Sequence, residues 1–547
     1  MKTMLLTLQL AAITAFFGAS ATAAIAEDSR VYSATELRED LALVRRALEE
    51  SQVGLDWYLP REQYVRQMEA VFQKTNQPMT VREFYRLLLP VIASIGHGHT
   101  TLERPNAGKG YYLRRLARLQ TYFPAEMRVI EGRLFVLTDL SGDCSLPAGS
   151  EILALNGQPF EELYPRLSEL LSTEGDNRTF RDHQLGRGWR LHDLLDLEQG
   201  PRARHEITLR SSDGSIRYVS VDGATPAQLA SRYEQRRGHA LDTFQSAVRF
   251  RMLDANTGLL TVSSFWEGLL PKDTPDFRTA FDAAFVKVAK ANTGRLIIDV
   301  RSNEGGDGAA ARLLRAYLAT APFVPGGGAF VAQPSLSTLK YANAPSDEVR
   351  AFAADPMQFV ALAADGRWRL KPELDAEATS VVQPEVNAFK GPVVILIDGG
   401  AFSATNIFLD LMRCEAGRGR SVRFIGVSNA QSDRYPLVSG GQSVEIELPN
   451  TMLKLALPVL GSDRPGSADC RNTAIPDIEL SASINDLIVG RDPVLEQAIA
   501  DTDPPMTPRQ PPHNLRIEAL SEELSRTIQL VLPHARIACA DDYAGRC

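Results

Sequence analysis

The sequence predicts a mixed α/β fold, and three observations predict it. Residues 392–397 form an unbroken apolar run with two valines and two isoleucines, the mark of a strand covered on both faces. Residues 295–300 read as a second buried strand, and each of the two runs into a glycine-bearing turn followed by helical spacing. A further strand (258–265) and an amphipathic helix (277–291) precede them, so strand, helix, strand, turn and helix alternate as in a parallel α/β core.

Taken in order, residues 1–26 read as an export signal. Lys2 gives a positive start, residues 5–17 an apolar run, and Ala21-Thr-Ala23 or Ala24-Ile-Ala26 a small-residue cleavage site. The run is short for a bilayer, and no other stretch approaches the ~20 apolar residues of a membrane helix. No cysteine follows it to carry a lipid anchor. An exported protein without a membrane span is expected, periplasmic or secreted. The 547 residues allow more than one domain, 44% hydrophobic and 23% charged residues are ordinary for a globular chain, and a net charge of −8 gives no reason to expect nucleic acid.

Residues 27–107 read as helical. Apolar residues recur at three- and four-residue spacing from Leu37 to Leu48 and from Phe84 to Ile92, and Ser33-Ala-Thr-Glu36 and Thr80-Val-Arg-Glu83 are capping-box starts. The region closes on Ile95-Gly-His-Gly-His-Thr-Thr-Leu102. Two histidines two apart could share a metal, but the other six have no supporting motif, so no metal or other cofactor is expected. His99 is instead a candidate for proton transfer, against the plainer reading of a loop histidine bonded to its own backbone.

Residues 108–236 turn to short strands, with 134–138 one of them and 150–155 running into an Asn156-Gly157 turn. Pro147-Ala-Gly-Ser-Glu-Ile-Leu-Ala-Leu-Asn-Gly157 resembles the phrase that PDZ domains carry before their second helix, which makes this a PDZ-like, β-rich insert. Such domains bind extended peptides along a sheet edge. The Gly-Leu-Gly-Phe-like loop of those domains is not evident near 120–135, and an insert without ligand is the alternative. A linker at 237–243 leads into the core, residues 244–502. Within it, 320–390 reads as polar loops rich in Pro and Gly, and 443–448 with 452–457 as a hairpin. Five prolines in 503–512 lead to a last helix at 515–532 and a cysteine-bearing tail, so 503–547 stands apart. Of five cysteines, Cys539 and Cys547 could staple the tail and Cys414 could pair with Cys470, leaving Cys144 free; the sequence does not fix the pairing.

Ser403 sits where the 392–397 strand gives way, through Asp398-Gly-Gly-Ala-Phe, to a helix carrying Ile407, Phe408, Leu411 and Met412. Amides at a helix start point outward at the positive end of its dipole, a setting for a nucleophile beside an oxyanion site. The commoner job for a serine there is an N-cap. The turn Arg301-Ser-Asn-Glu-Gly-Gly-Asp-Gly308 lacks both the GxGxxG spacing and the P-loop lysine, so Gly305 and Gly306 serve better as bare backbone near a ligand oxygen.

Four pieces resemble one family in its order along the chain. Residues 95–102 are similar to the GDGHT segment of serine peptidases related to the C-terminal processing (tail-specific) peptidases and the tricorn core protease. Leu296-Ile-Ile-Asp-Val-Arg-Ser-Asn-Glu-Gly-Gly-Asp307 resembles their LIIDLRGNGGGD-like signature, and 392–412 their nucleophile strand and helix. Ile475-Pro-Asp477 with Asp492-Pro-Val-Leu-Glu496 resembles their closing motif. The resemblance implies a crotonase-like α/β core with a PDZ-like insert. It implies Ser403 as nucleophile, and an oxyanion held by amides of Gly305 or Gly306 and of Ala404. The processing branch pairs its serine with a lysine after the next strand, but Gly426-Val-Ser-Asn-Ala-Gln-Ser-Asp433 holds none. The tricorn-like branch uses a histidine where His99 stands, and an acid near the closing turn, for which Asp469 is the nearest candidate. Asn406 departs from the family's glutamate in its S-A-x-E pattern. The expected function is an exported serine endopeptidase acting on unfolded proteins or peptides without a cofactor. The alternative is the same fold with decayed chemistry, holding a peptide or apolar ligand.

Overall fold

The strands of the core order themselves by where their apolar side chains can go. In this computed structural model, which describes residues 30–104, 120–238, 246–335, 337–343, 345–417, 419–431, 434–464 and 475–501, six strands form the central sheet. Their order is Val248–Met252, Thr257–Val262, Arg295–Asp299, Val393–Ile397, Val422–Gly426 and Ile478–Glu479; the first pair is antiparallel and the rest parallel. Every residue of Val393–Ile397 is buried. Val393, Ile395 and Ile397 point to one face, against Phe281, Phe285 and Leu314 and against Phe408 and Met412 of helix Ala404–Gly417. Val394 and Leu396 point to the other, against Val494 and Ala498 of helix Pro493–Ala500. Side chains that alternate between two covered faces need an apolar residue at every position, which is why this strand reads as an unbroken run. Each buried Val, Leu or Ile contributes roughly 1.5–3 kcal/mol.

Ahead of the core, helices Ala34–Ser51, Arg61–Lys74 and Val81–Ser94 pack together, the first and third opened by the capping boxes Ser33/Glu36 and Thr80/Glu83. A second sheet is antiparallel, in the order Val360–Leu362, Trp368–Leu370, Ala329–Val331, Lys454–Ser462, Leu437–Glu447. Its long pair is the hairpin expected at 443–457. Its three short strands lie in the 320–390 stretch that reads as loops, because strands of three residues are too short to show a period. Thr101–Glu103 also joins this sheet, pairing with Lys454–Ser462, and so carries the end of the N-terminal region to the core.

The insert contains a six-stranded antiparallel sheet in the order Ala125–Ile130, Arg133–Asp139, Glu151–Leu155, Arg204–Arg210, Ile216–Asp222, with the short strand Gln158–Pro159 also pairing with Glu151–Leu155. Asn156 and Gly157 make the expected turn, both at positive φ. Helices Phe160–Ser168, Arg178–Leu185, Arg190–Gln199 and Pro226–Arg237 were not part of the β-rich expectation. Three of them are ten residues or shorter, and Arg178–Leu185 buries only Phe180, Gln184 and Leu185. A face that narrow gives little periodic signal. Among the described residues no helix is long and apolar enough to cross a membrane. Cys144 is free and Cys414 is disulfide-bonded. The signal segment, Cys470, Cys539, Cys547, and the linker, helix and tail at 503–547 lie outside the described residues.

Candidate active site

The turn that carries Ser403 is braced before the serine is reached. The Asp398 carboxylate, at the end of the central strand, accepts from the amides of Ser302 (2.7 Å) and Gly400 (2.9 Å) and from the Ser302 hydroxyl (2.9 Å). One side chain thus ties together the turns at the ends of two neighbouring strands. Asn303, fully buried, adds a second tie: its carbonyl accepts from the Phe402 amide (3.1 Å) and the Thr405 hydroxyl (2.8 Å). Ser403 then adopts φ 57°, and helix Ala404–Gly417 starts at the next residue. A non-glycine residue in that region crowds its Cβ against the backbone, at a cost of order 1–3 kcal/mol. An N-cap has extended backbone instead, so the capping role does not describe Ser403. A sharp strand-to-helix turn that thrusts a serine forward is the geometry of a nucleophile elbow.

Asn406, also fully buried, sits one helical turn on. Its side-chain amide is set between the Ser403 nitrogen, 3.3 Å away, and the Ala401 carbonyl oxygen, 3.2 Å away. At the position where the family's pattern has glutamate, a neutral amide holds both sides of the turn.

His99 reaches Ser403 from the N-terminal region. Helix Val81–Ser94 ends at Ile95, Gly96 turns the chain at φ 76°, and the pairing of Thr101–Glu103 anchors the far side of the loop. His99 Nε2 stands 3.0 Å from Ser403 Oγ, placed to accept the hydroxyl proton. The ring stacks on Phe402 at 4.4 Å, and a Cβ on Gly440 would come within 2.7 Å of Nε2, so the ring is held between a phenyl face and bare backbone. Burial drives the His99 pKa down to about 4, against the pull of the Glu174 charge. The imidazole is therefore neutral, the form that a general base needs. His97 points elsewhere and bonds the Gly54 carbonyl at 3.0 Å.

The two glycines of the turn divide the expected oxyanion role. A Cβ on Gly305 would lie 2.7 Å from Ser403 Cβ and 2.8 Å from the Ala404 nitrogen, so only glycine lets this turn approach the elbow. Its own N–H, however, donates to Asn303 Oδ1 at 2.9 Å. That corrects the expectation that either glycine could serve: Gly305 supplies clearance. The amides of Gly306 and Ala404 have no partner among the described residues.

One wall of the site has no counterpart among the sequence-based expectations. Residues 174–187 of the insert lie against both turns. Asn177 Nδ2 donates to the Asn429 carbonyl (2.8 Å), Thr179 Oγ1 to the Ser428 carbonyl (2.7 Å), and Phe180 stacks on Phe402 at 4.8 Å. His183 Nε2 is 3.2 Å from Glu304 Oε1, Arg187 pairs with the same carboxylate, and a Cβ on Gly400 would lie 2.6 Å from His183 Nε2. Burial works to raise the Glu304 pKa, but His183 and Arg187 outweigh it and hold it below the usual range. No spacing in the sequence signals these contacts, which join residues more than a hundred positions apart. Asp469 lies outside the described residues.

Residues 256–422 match the family model of peptidase family S41, a span that holds Gly305, Gly306 and Ser403 together. Over that span the chain is similar to peptidase family S41, and the match marks it as a serine-type peptidase. Its fold is similar to that of mature CPAF, at 16% identity over 87% of this chain and 99% of that one, with a TM-score of 0.56. It is likewise similar to mature CPAF complexed with lactacystin, at 16% identity over 83% and 95% with a TM-score of 0.55. No curated protein matches the chain.

Proposed function

We propose that this peptidase is an exported serine endopeptidase that cuts unfolded proteins or peptides through a Ser403–His99 acyl-enzyme mechanism. The observation that carries the reading is the 3.0 Å approach of His99 Nε2 to Ser403 Oγ at a strained elbow. His99 takes the hydroxyl proton as Ser403 Oγ attacks the scissile carbonyl, and the oxyanion forms toward the amides of Gly306 and Ala404. The same proton then passes from His99 to the leaving amine, freeing it from the acyl-enzyme. Water, deprotonated by His99, releases the second product and restores Ser403. Export is supported by the apolar run at 5–17 and by the disulfide at Cys414, which suits an oxidising compartment.

The test is covalent labelling by a fluorophosphonate, with the site read by mass spectrometry. Ser403 is labelled in the native chain, and labelling is lost in Ser403→Ala and in His99→Ala. Folded native protein that neither labels nor cuts a reduced, unfolded protein substrate would return the chain to the binding-protein reading.

A further inference from the structure

We propose that Glu174, carried by the insert, is a positioning residue for the general base: its carboxylate fixes the His97–His99 turn and faces the charge that His99 gains when Ser403 reacts. The inference rests on the Ser403–His99 reading. Glu174 is 9% exposed, and a buried carboxylate must be paired or hydrogen-bonded. Its contacts converge on the segment that carries His99. Oε1 accepts from the Gly98 amide at 3.1 Å; Oε2 accepts from the Tyr58 hydroxyl at 3.5 Å and lies 3.8 Å from His97 Nδ1, an ion-pair distance longer than a hydrogen bond. Burial favours the neutral acid, but the His97 ring and the Gly98 amide outweigh it and hold the Glu174 pKa below the usual carboxylate range.

His99 needs such help. Its Nδ1 is buried and has no hydrogen-bond partner among the described residues, whereas a catalytic histidine depends on a partner to set its ring and to stabilise the imidazolium. The titratable groups that act on it are His97, on its own segment, and Glu174. From helix Ala404–Gly417 and its turn it meets Ser403 and the Phe402 ring, and from strand Leu437–Glu447 it meets Gly440. Of these, Glu174 alone is an anion. When the Ser403 proton moves to Nε2, it stays on His99, and Glu174 holds the new charge by field and by its grip on Gly98. The insert thereby becomes part of the catalytic apparatus.

The experiment measures the fluorophosphonate labelling rate of Ser403 against pH, in short pulses, for the native chain and for Glu174→Gln and Glu174→Asp. In Glu174→Gln the plateau rate falls about tenfold, and the half-maximal pH moves down by about one unit because the anion that favoured protonated His99 is gone. Glu174→Asp keeps the charge and restores the native half-maximal pH. A Gln plateau and midpoint both native would overturn the inference and leave the dyad standing, as would a lower plateau at an unchanged midpoint, which is mere bracing. If Glu174→Gln does not fold, Glu174→Ala is measured in the same way and read by the same outcomes. Failure of the native chain to label removes the dyad and this inference together.

Discussion

His99 Nε2 and Ser403 Oγ meet at 3.0 Å across 304 residues of chain. Burial sets the proton affinity of the pair, with the His99 pKa brought down to about 4. The base is neutral above that value and is lost by protonation below it. Activity should therefore hold level from pH 8 down to about 5 and reach half its plateau near pH 4, well below the ~6.5 of a free imidazole. His99→Ala should lower kcat by at least about 10⁴-fold at every pH. A pH–rate profile on a short peptide substrate checks both; a half-maximal point near 6.5 would mean that His99 is solvated.

Ser403 bears backbone strain at φ 57°. Glycine has no Cβ to crowd the carbonyl there, so Ser403→Gly should raise stability by about 1 kcal/mol while abolishing hydrolysis. Ser403→Ala, which keeps the Cβ, should abolish hydrolysis without that gain. Urea denaturation of the three proteins separates the cases.

Gly440 gives the His99 ring its room. An alanine methyl would come within 2.7 Å of Nε2, and the ring would have to leave Ser403. Gly440→Ala should cost about 100-fold in kcat, since misplacement by about 1 Å is enough for that. The far-UV circular dichroism should stay native.

Asn406 bridges the Ser403 amide and the Ala401 carbonyl from inside the helix. Its loss takes a partner from the Ser403 amide, while the Ala401 carbonyl keeps the Ala430 N–H at 3.0 Å, so Asn406→Ala should destabilise by roughly 1–2 kcal/mol and lower kcat about tenfold as the elbow loosens. Reduced kcat with unchanged KM is the expected pattern; a change in KM alone would place Asn406 in substrate binding.

His205, in the insert, is held neutral by burial, with the Arg202 charge adding to the effect, and its pKa falls to about 4. Between pH 6.5 and 4 the unfolded chain takes up a proton that the folded one refuses. Stability should therefore fall as the pH drops through that window, by an amount on the order of 1–3 kcal/mol, and level off below it. His99 contributes with the same sign. Replacing His205 by Asn should flatten the slope of melting temperature against pH from 6.5 to 4 whatever it does to absolute stability.

The sequence by itself determined those features whose signal is local. Val393–Ile397 had to be a strand covered on both faces because every residue is apolar, and the capping boxes at Ser33 and Thr80 had to start helices because their partners stand three residues away. Resemblance to one family's motifs, in that family's order along the chain, singled out Ser403 and His99. Only the tertiary structure decided how they meet, because a 3.0 Å contact across 304 residues depends on one short strand, Thr101–Glu103, finding its place beside Lys454–Ser462. It also decided that Gly305 gives clearance while its amide is taken by Asn303, and that Ser403 is strained rather than capping. Above all it brought helix Arg178–Leu185 and Glu174 against the site. Those residues carry no motif: their role comes from the site they lie against, and packing between distant segments leaves no period in the chain.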